Sequence, residues 1–329
     1  MGRSWLVACA AQMGLVAGLG CESRPLDTVD PHMPGHDAGD TTTVGPVDAW
    51  IAFDSDGGSG RDIVAIRVDH SVRRWLTSDA ATDMQPAFSR DGTKLAYASD
   101  REGGIFQIYV MNLANGVSTR VTQHLEGVHY PAFSMDGTRV GYRVGDSVFT
   151  ALLDGSDERQ ATGNSLCCPG GNREFGGPIF PSDGRLIYDD YNAIYALSGT
   201  TRTTIVVPTT GEQSHPALSP DGSKIVLQST CAGDGAARSI WTVPAGATTN
   251  YSCTDGQRLS DRGTDATHAS WGPNNMIIWG SVTGGTNSTS PVLSDLVLWQ
   301  DGTARTIESG TGDIRNPTWS PVGTVIGDW

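Results

Sequence analysis

The stretch "PAFSRDGTKLAYASD", Pro86 to Asp100, is followed by a near copy, "PAFSMDGTRVGYR", from Pro131 to Arg143. Weaker copies begin at Pro178 ("PIFPSDGRLIYDD"), Pro216 ("PALSPDGSKIVLQ"), Ala269 ("ASWGPNNMIIWG") and Pro317 ("PTWSPVGTVIGDW"). The intervals of 45, 47, 38, 53 and 48 residues are those of propeller blades, each built from four short strands. Each copy reads as strand, tight turn, strand. Pro86 opens the first strand where no ladder N–H is needed, Asp91 can bond turn amides, and Gly92 supplies a positive φ.

A third strand is expected over residues 105–111, 147–153, 193–197, 239–243 and 295–299, and a fourth over 119–122, 159–162, 203–207, 257–260 and 303–307. Ahead of the first copy, residues 50–53, 62–68 and 73–77 look like strands two to four of a blade that lacks its first. The C-terminal "PTWSP" can supply it, although residues 324–329 compete with 50–53 for the second-strand place. The fold class is therefore all-β: a six-bladed β-propeller of four-stranded antiparallel blades, its ring closed by N- and C-terminal strands. The 42 glycines and 17 prolines fit a chain of many turns.

The "PAFSxDGT(K/R)" units followed by "QIYVMN"-type strands resemble the propeller of TolB and its relatives over about residues 48–329. That resemblance implies the TolB-like fold and a binding role. It does not extend to the α/β domain that precedes the propeller in TolB, because a linker stands there. Propellers of prolyl-oligopeptidase type accompany a hydrolase domain, and this sequence has no G-x-S-x-G elbow.

Residues 1–20 read as a signal peptide, with one Arg, an apolar run and small residues before Cys21. "AGLGC" resembles a bacterial lipoprotein signal, which would make Cys21 the lipidated first residue of the mature protein. Gly18 stands where such signals usually have Leu, so ordinary signal cleavage is the alternative. Residues 21–47, rich in Pro, Asp, Thr and Gly, form a disordered tether to the propeller at 48–329. Cys167, Cys168, Cys231 and Cys253 remain as disulfide candidates, with three connectivities open.

In a propeller the residues just ahead of each first strand ring one mouth of the central channel. Here they are Gln85, His129 and Tyr130, His215, His268 and Asn316, accompanied by the acids Asp83, Glu212, Asp265 and Asp313. His129, His215 and His268 recur at nearly one repeat position, so they are the candidates for a divalent metal. A hydrated polar rim without metal is the simpler expectation, with no cofactor and no catalytic residue. "DSDGGSGRD" (54–62) resembles a calcium loop but has Ser59 and Ala65 where the sixth and twelfth places require Gly and an acid.

A net charge of −14 argues against a phosphate-binding surface, hence against nucleic acid, and against adhesion to anionic lipid. The sequence thus points to a monomeric, non-catalytic lipoprotein of the bacterial periplasm or outer membrane. It would touch the membrane only through its lipid and offer its channel mouth to an envelope protein or glycan. The alternative is a metal-dependent lyase or hydrolase acting on polysaccharide at the histidine-bearing mouth.

Overall fold

The computed structural model describes residues 48–56, 60–163, 176–190, 193–206, 213–230, 237–245, 256–261, 265–283, 293–309 and 313–329. The signal peptide, Cys21, the tether, Glu212 and all four candidate disulfide cysteines lie outside the described residues. The first blade contains β1 (Trp50–Asp56), β2 (Arg61–Arg67) and β3 (Arg73–Trp75). The second is β4 (Asp83–Phe88), β5 (Lys94–Ser99), β6 (Gln107–Asn112) and β7 (Ser118–Arg120). The third is β8 (Val128–Phe133), β9 (Arg139–Val144), β10 (Ser147–Leu152) and β11 (Arg159–Gln160). In the fourth, β12 (Leu186–Asp189), β13 (Ile194–Ser198) and β14 (Thr201–Val206) are joined by a single bridge from Ile179 to Ile187 in place of an inner strand. The fifth is β15 (Gln213–Leu218), β16 (Lys224–Ser229), β17 (Ser239–Pro244) and β18 (Gln257–Arg258). The sixth is β19 (Asp265–Trp271), β20 (Ile277–Thr283), β21 (Leu293–Gln300) and β22 (Thr303–Glu308).

The last strand, β23 (Ile314–Trp319), returns to the first blade and pairs antiparallel with β1, matching Ile51 to Trp319 and Ala52 to Thr318. Strands from both ends of the propeller thus close the ring. Residues 324–329 form no strand and cross instead to the second blade. Trp50 Nε1 donates to the Thr324 carbonyl at 3.1 Å, Gly327 N to the Leu113 carbonyl at 2.8 Å, and Arg74 to the Ile326 and Gly327 carbonyls. The competition for the second-strand place is settled in favour of β1.

Strand alternation explains the core. In β1, Ile51 and Phe53 enter the cluster shared with the sixth blade, beside Ile278 and Leu298. Trp50 and Ala52 point the other way, toward Leu95 and Tyr97 of the second blade. Among the described residues six such clusters appear, each between successive blades. A single blade cannot bury both of its faces, so the stability of each depends on its neighbours.

After the inner strands of the second, third and fifth blades the repeat's polar residues build the turn. Ser89 Oγ donates to Asp91 Oδ1 at 2.6 Å, Thr93 N donates to the same oxygen at 3.0 Å, and Gly92 has φ +68°. These bonds hold the Asp91 carboxyl down at about 2, the Ser89 hydroxyl contributing most. Ser134–Asp136 and Ser219–Asp221 repeat the arrangement.

Trp319 is the test of closure, because it lies between the first and sixth blades and covers Gly272. Trp319→Ala should lower stability by about 3–5 kcal/mol, read as a lower urea midpoint. An unchanged midpoint would mean that the ring does not depend on the returning strand.

Candidate functional site

The inner strands begin earlier than the prolines suggest. β4 starts at Asp83, so Gln85 and Pro86 lie inside it, at a bulge where pairing with β5 slips between Met84 and Ala87. Proline is accepted there because a bulge asks for no ladder N–H. The same slip recurs between His129 and Ala132, Ser214 and Ala217, and Thr267 and Ser270. The residues expected ahead of the strands are therefore embedded in them, with Gln85, His215 and His268 buried. Gln85, Tyr130, His215, His268 and Asn316 line one cavity and form its waist.

At each bulge one non-glycine residue takes a left-handed backbone: Gln85 (φ 58°), Tyr130 (54°), His215 (53°), His268 (55°) and Asn316 (51°). This conformation costs about 1–3 kcal/mol for each residue unless the surroundings enforce it, and a following proline narrows the choice further. The enforcement comes from the preceding blade. Gln85 N donates to Asp54 Oδ1 at 2.9 Å, His215 N to Asp189 Oδ2 at 3.0 Å, and His268 N to Gln228 Oε1 at 3.3 Å. Tyr130 N donates to the Gln85 side chain at 2.9 Å; Asn316 differs, its side-chain Nδ2 donating within its own blade to Asp54 Oδ1 at 2.8 Å.

Asp54, Asp189 and Gln228 occupy one repeat position, the fifth from the start of the second-strand copy. The same place holds Ala98 in "KLAYA", Arg143 in "RVGYR" and Gly280 in "MIIWG". Alternation turns this position toward the next blade at the channel end. Arg143, which is buried, grips the Asp189 carboxylate and carbonyl and donates to the Gly176 carbonyl at 2.6 Å. Asp189 Oδ2 in turn accepts Gly176 N at 2.8 Å. Burial pushes the Asp54 and Asp189 carboxyls upward, against the pull of Arg61 and Arg143 respectively. These residues were not singled out from sequence. The signal available was a polar residue at a fixed repeat position inside an apolar strand.

The fourth blade contributes no side chain to the waist. A Cβ on Gly176 would collide with the His215 backbone, and one on Gly177 would lie 3.2 Å from the Tyr130 carbonyl oxygen. Tyr130 therefore reaches past it to meet His215 with ring centroids 5.6 Å apart, and His215 meets His268 edge-on at 4.3 Å. His129 is separated from that pair: it packs on Phe106 at 5.0 Å and faces Tyr130 from the other side. Among the described residues no group of three or more His, Cys, Asp or Glu is arranged to hold a metal ion.

The acids near the strand starts are committed to arginines. Asp83 pairs with Arg101 at 3.0 Å, Asp265 with Arg238 at 2.7 Å, and Asp313 with Arg61 at 2.7 Å. Arg61 also holds Asp54 at 2.7 Å, so the start of the calcium-like stretch is a strand ion pair. Burial drives His268 down to about 3, aided by the charges of Arg238, Arg315 and Arg61. It drives His215 well below 6.5, with His268, Arg238 and Arg143 adding to it. Both imidazoles are neutral at pH 7.

The waist closes one end of a cavity of ≈ 400 Å³. Pro86, Pro131, Pro178, Pro216 and Pro317 line its wall, and Arg90, Met135, Ser182 and Pro220 lie at its outer rim. Arg90 and Met135 touch across the second and third blades at 3.0 Å.

Six blades with this repeat and a bulged waist define a TolB-like β-propeller. TolB from Acinetobacter baumannii is similar over 84% of this chain and 68% of that one, at 19% identity and a TM-score of 0.66. A putative TolB from Agrobacterium tumefaciens follows at 16% identity and 0.55, over 82% and 92% of the two chains. Hydrazine synthase from Kuenenia stuttgartiensis shares the fold at 14% identity and 0.63, over 86% of this chain and 48% of that one. Among curated proteins, a TolB homolog from Chlorobium luteolum is 36% identical over 72 residues, 22% of this chain and 15% of that protein. The uncharacterized peptidase YuxL of Bacillus subtilis is 30% identical over 146 residues, 43% of this chain and 21% of that protein. The chain thus spans about a fifth or less of the length of these curated relatives, and no family model matches it.

Two measurements probe the waist. Arg143→Leu leaves the Asp189 carboxylate buried without its partner and should cost about 3–5 kcal/mol in urea unfolding. A loss below ~1 kcal/mol would show that the pair does not hold the third and fourth blades together. Because His268 is depressed from 6.5 to about 3, the unfolded chain binds more protons in that window, and stability falls on acidification. Its share should be about 2 kcal/mol between neutrality and about pH 5, visible as a flatter profile in His268→Asn. Asp54 and Asp189 are common to both proteins and cancel in the difference. Parallel profiles would contradict the neutral, buried imidazole.

Proposed function

We propose that this chain is a non-catalytic recognition propeller of the bacterial cell envelope, anchored by lipid at Cys21 and held off the membrane by residues 21–47. Its channel opening is the surface offered to a protein or glycan partner. The observation that carries this reading is the cavity of ≈ 400 Å³, whose floor consists of side chains held in place by strained backbone. Strain of this kind persists where the surrounding fold over-determines it and is concentrated at binding and catalytic sites. Pro, Ala and Ser residues make up half of the lining, which suits contact more than proton transfer. Ser214, whose Oγ lies 3.1 Å from His215 Nδ1, does not line the cavity. The −14 net charge and the "AGLGC" signal support an exported protein that approaches the membrane through its lipid alone.

The test is capture from envelope extracts by wild type and by a doubly charged rim variant, Arg90→Glu with Ser182→Glu. Both positions are exposed, so the fold should survive. Partners held by wild type should be lost from the variant. An identical partner set would show that the opening is not the binding surface.

A further inference from the structure

Among the described residues the waist carries hydrogen-bonding atoms without a partner. His215 Nε2 and His268 Nδ1 are buried without a partner. His215 and His268 are 6% and 9% exposed, and both line the cavity. A buried polar atom without a partner is unfavourable, and native folds leave few of them, so each asks for an explanation. The neighbours give the site its polarity. Gln85 Oε1 is taken by Tyr130 N, which leaves the amide nitrogen as the donor of a residue that lines the cavity. Asn316 Nδ2 is taken by Asp54, which leaves its Oδ1 as an acceptor.

The proton arrangement around His215 follows from the same accounting. Gln228 Oε1 accepts from His268 N, so its Nε2 donates to Ser214 Oγ at 3.4 Å. The buried Ser214 hydroxyl then has His215 Nδ1, at 3.1 Å, as its acceptor. With Nδ1 as the acceptor, His215 carries its proton on Nε2, the nitrogen that has no partner among the described residues. Neutral His268 supplies one donor and one acceptor. The waist therefore alternates donors and acceptors without a free charge, since Asp54, Asp265 and Asp313 are paired with arginines.

We propose that this waist binds one unit of an uncharged, hydroxyl-rich ligand, a neutral sugar or polyol. Hydroxyls both donate and accept, which is what alternating amide and imidazole groups complement. The proline and alanine walls, with the Tyr130 and Phe180 rings, offer apolar surface to the C–H faces of a sugar. The lining residues surround one compact volume, which suits a single sugar unit. The volume of ≈ 400 Å³ lies within the usual small-molecule range of about 300–1,000 Å³. This inference deepens the reading of the channel as a recognition surface. It fails separately, because a partner caught at the rim does not need a sugar at the waist.

The experiment is histidine-imidazole NMR on the full chain, with the His215 and His268 signals assigned through His215→Asn and His268→Asn. Asn accepts the left-handed backbone, so these variants keep the bulge. The probes are galactose, N-acetylglucosamine and myo-inositol, then galacturonate and glucosamine as charged counterparts, then Zn²⁺ alone. At least one neutral probe should shift both imidazoles saturably, and His268→Asn should weaken that binding at least tenfold. No shift with any neutral probe overturns the proposal. So does a response confined to the charged probes or to Zn²⁺, or neutral-probe binding that is undiminished in His268→Asn.

Discussion

The structure depends on one recurring interaction: a backbone N–H in left-handed conformation, captured by a side chain from another blade. Inner strands of a narrow propeller converge on an axis, and an undistorted strand would place its alternate side chains evenly along the channel. The bulge turns one residue per blade inward, and proline follows it in four of the five blades that carry it. Turned this way, its N–H leaves the ladder and needs another acceptor. Asp54, Asp189 and Gln228 supply that acceptor from the preceding blade, so waist geometry and blade packing are a single constraint.

The electrostatics follow from that constraint. Carboxylates suit this capture, yet their burial requires nearby cations, and Arg61 and Arg143 provide them. Burial keeps the adjacent imidazoles uncharged, and those arginines, with Arg238 and Arg315, add to it. A site built from neutral imidazoles and amides inside a chain of net charge −14 recognises shape and hydrogen bonding more than charge. This is why binding of an uncharged ligand is favoured over assembly of a cation around three histidines.

The blade plan was legible because its signals are local. Asp91 and Gly92 mark a turn by their own chemistry, and Ile51 and Phe53 alternate with Trp50 and Ala52 as any half-buried strand would. The repeat also located Gln85, Tyr130, His215, His268 and Asn316, since the anchor proline or alanine follows each of them. Their depth was not legible. A proline reads as the start of a strand, and only the pairing with β5 shows that three residues precede it in β4. The offset of His129 from the histidine pair has the same origin, because Tyr130 occupies the waist position in the third blade. Asp54, Arg143 and Asp189 were hidden because their role lies between blades, where one sequence repeat cannot show its neighbour.

The central claim is tested most directly by hydrogen exchange at the backbone amides of Gln85, Tyr130, His215 and His268. None of the four is accounted for by a strand partner, so ordinary sheet pairing predicts nothing for them. Capture by side chains of the neighbouring blade predicts protection comparable to that of the β5 and β16 ladder amides. Exchange as fast as that of the exposed Gly103 amide would contradict it, and with it the account of how the waist is held.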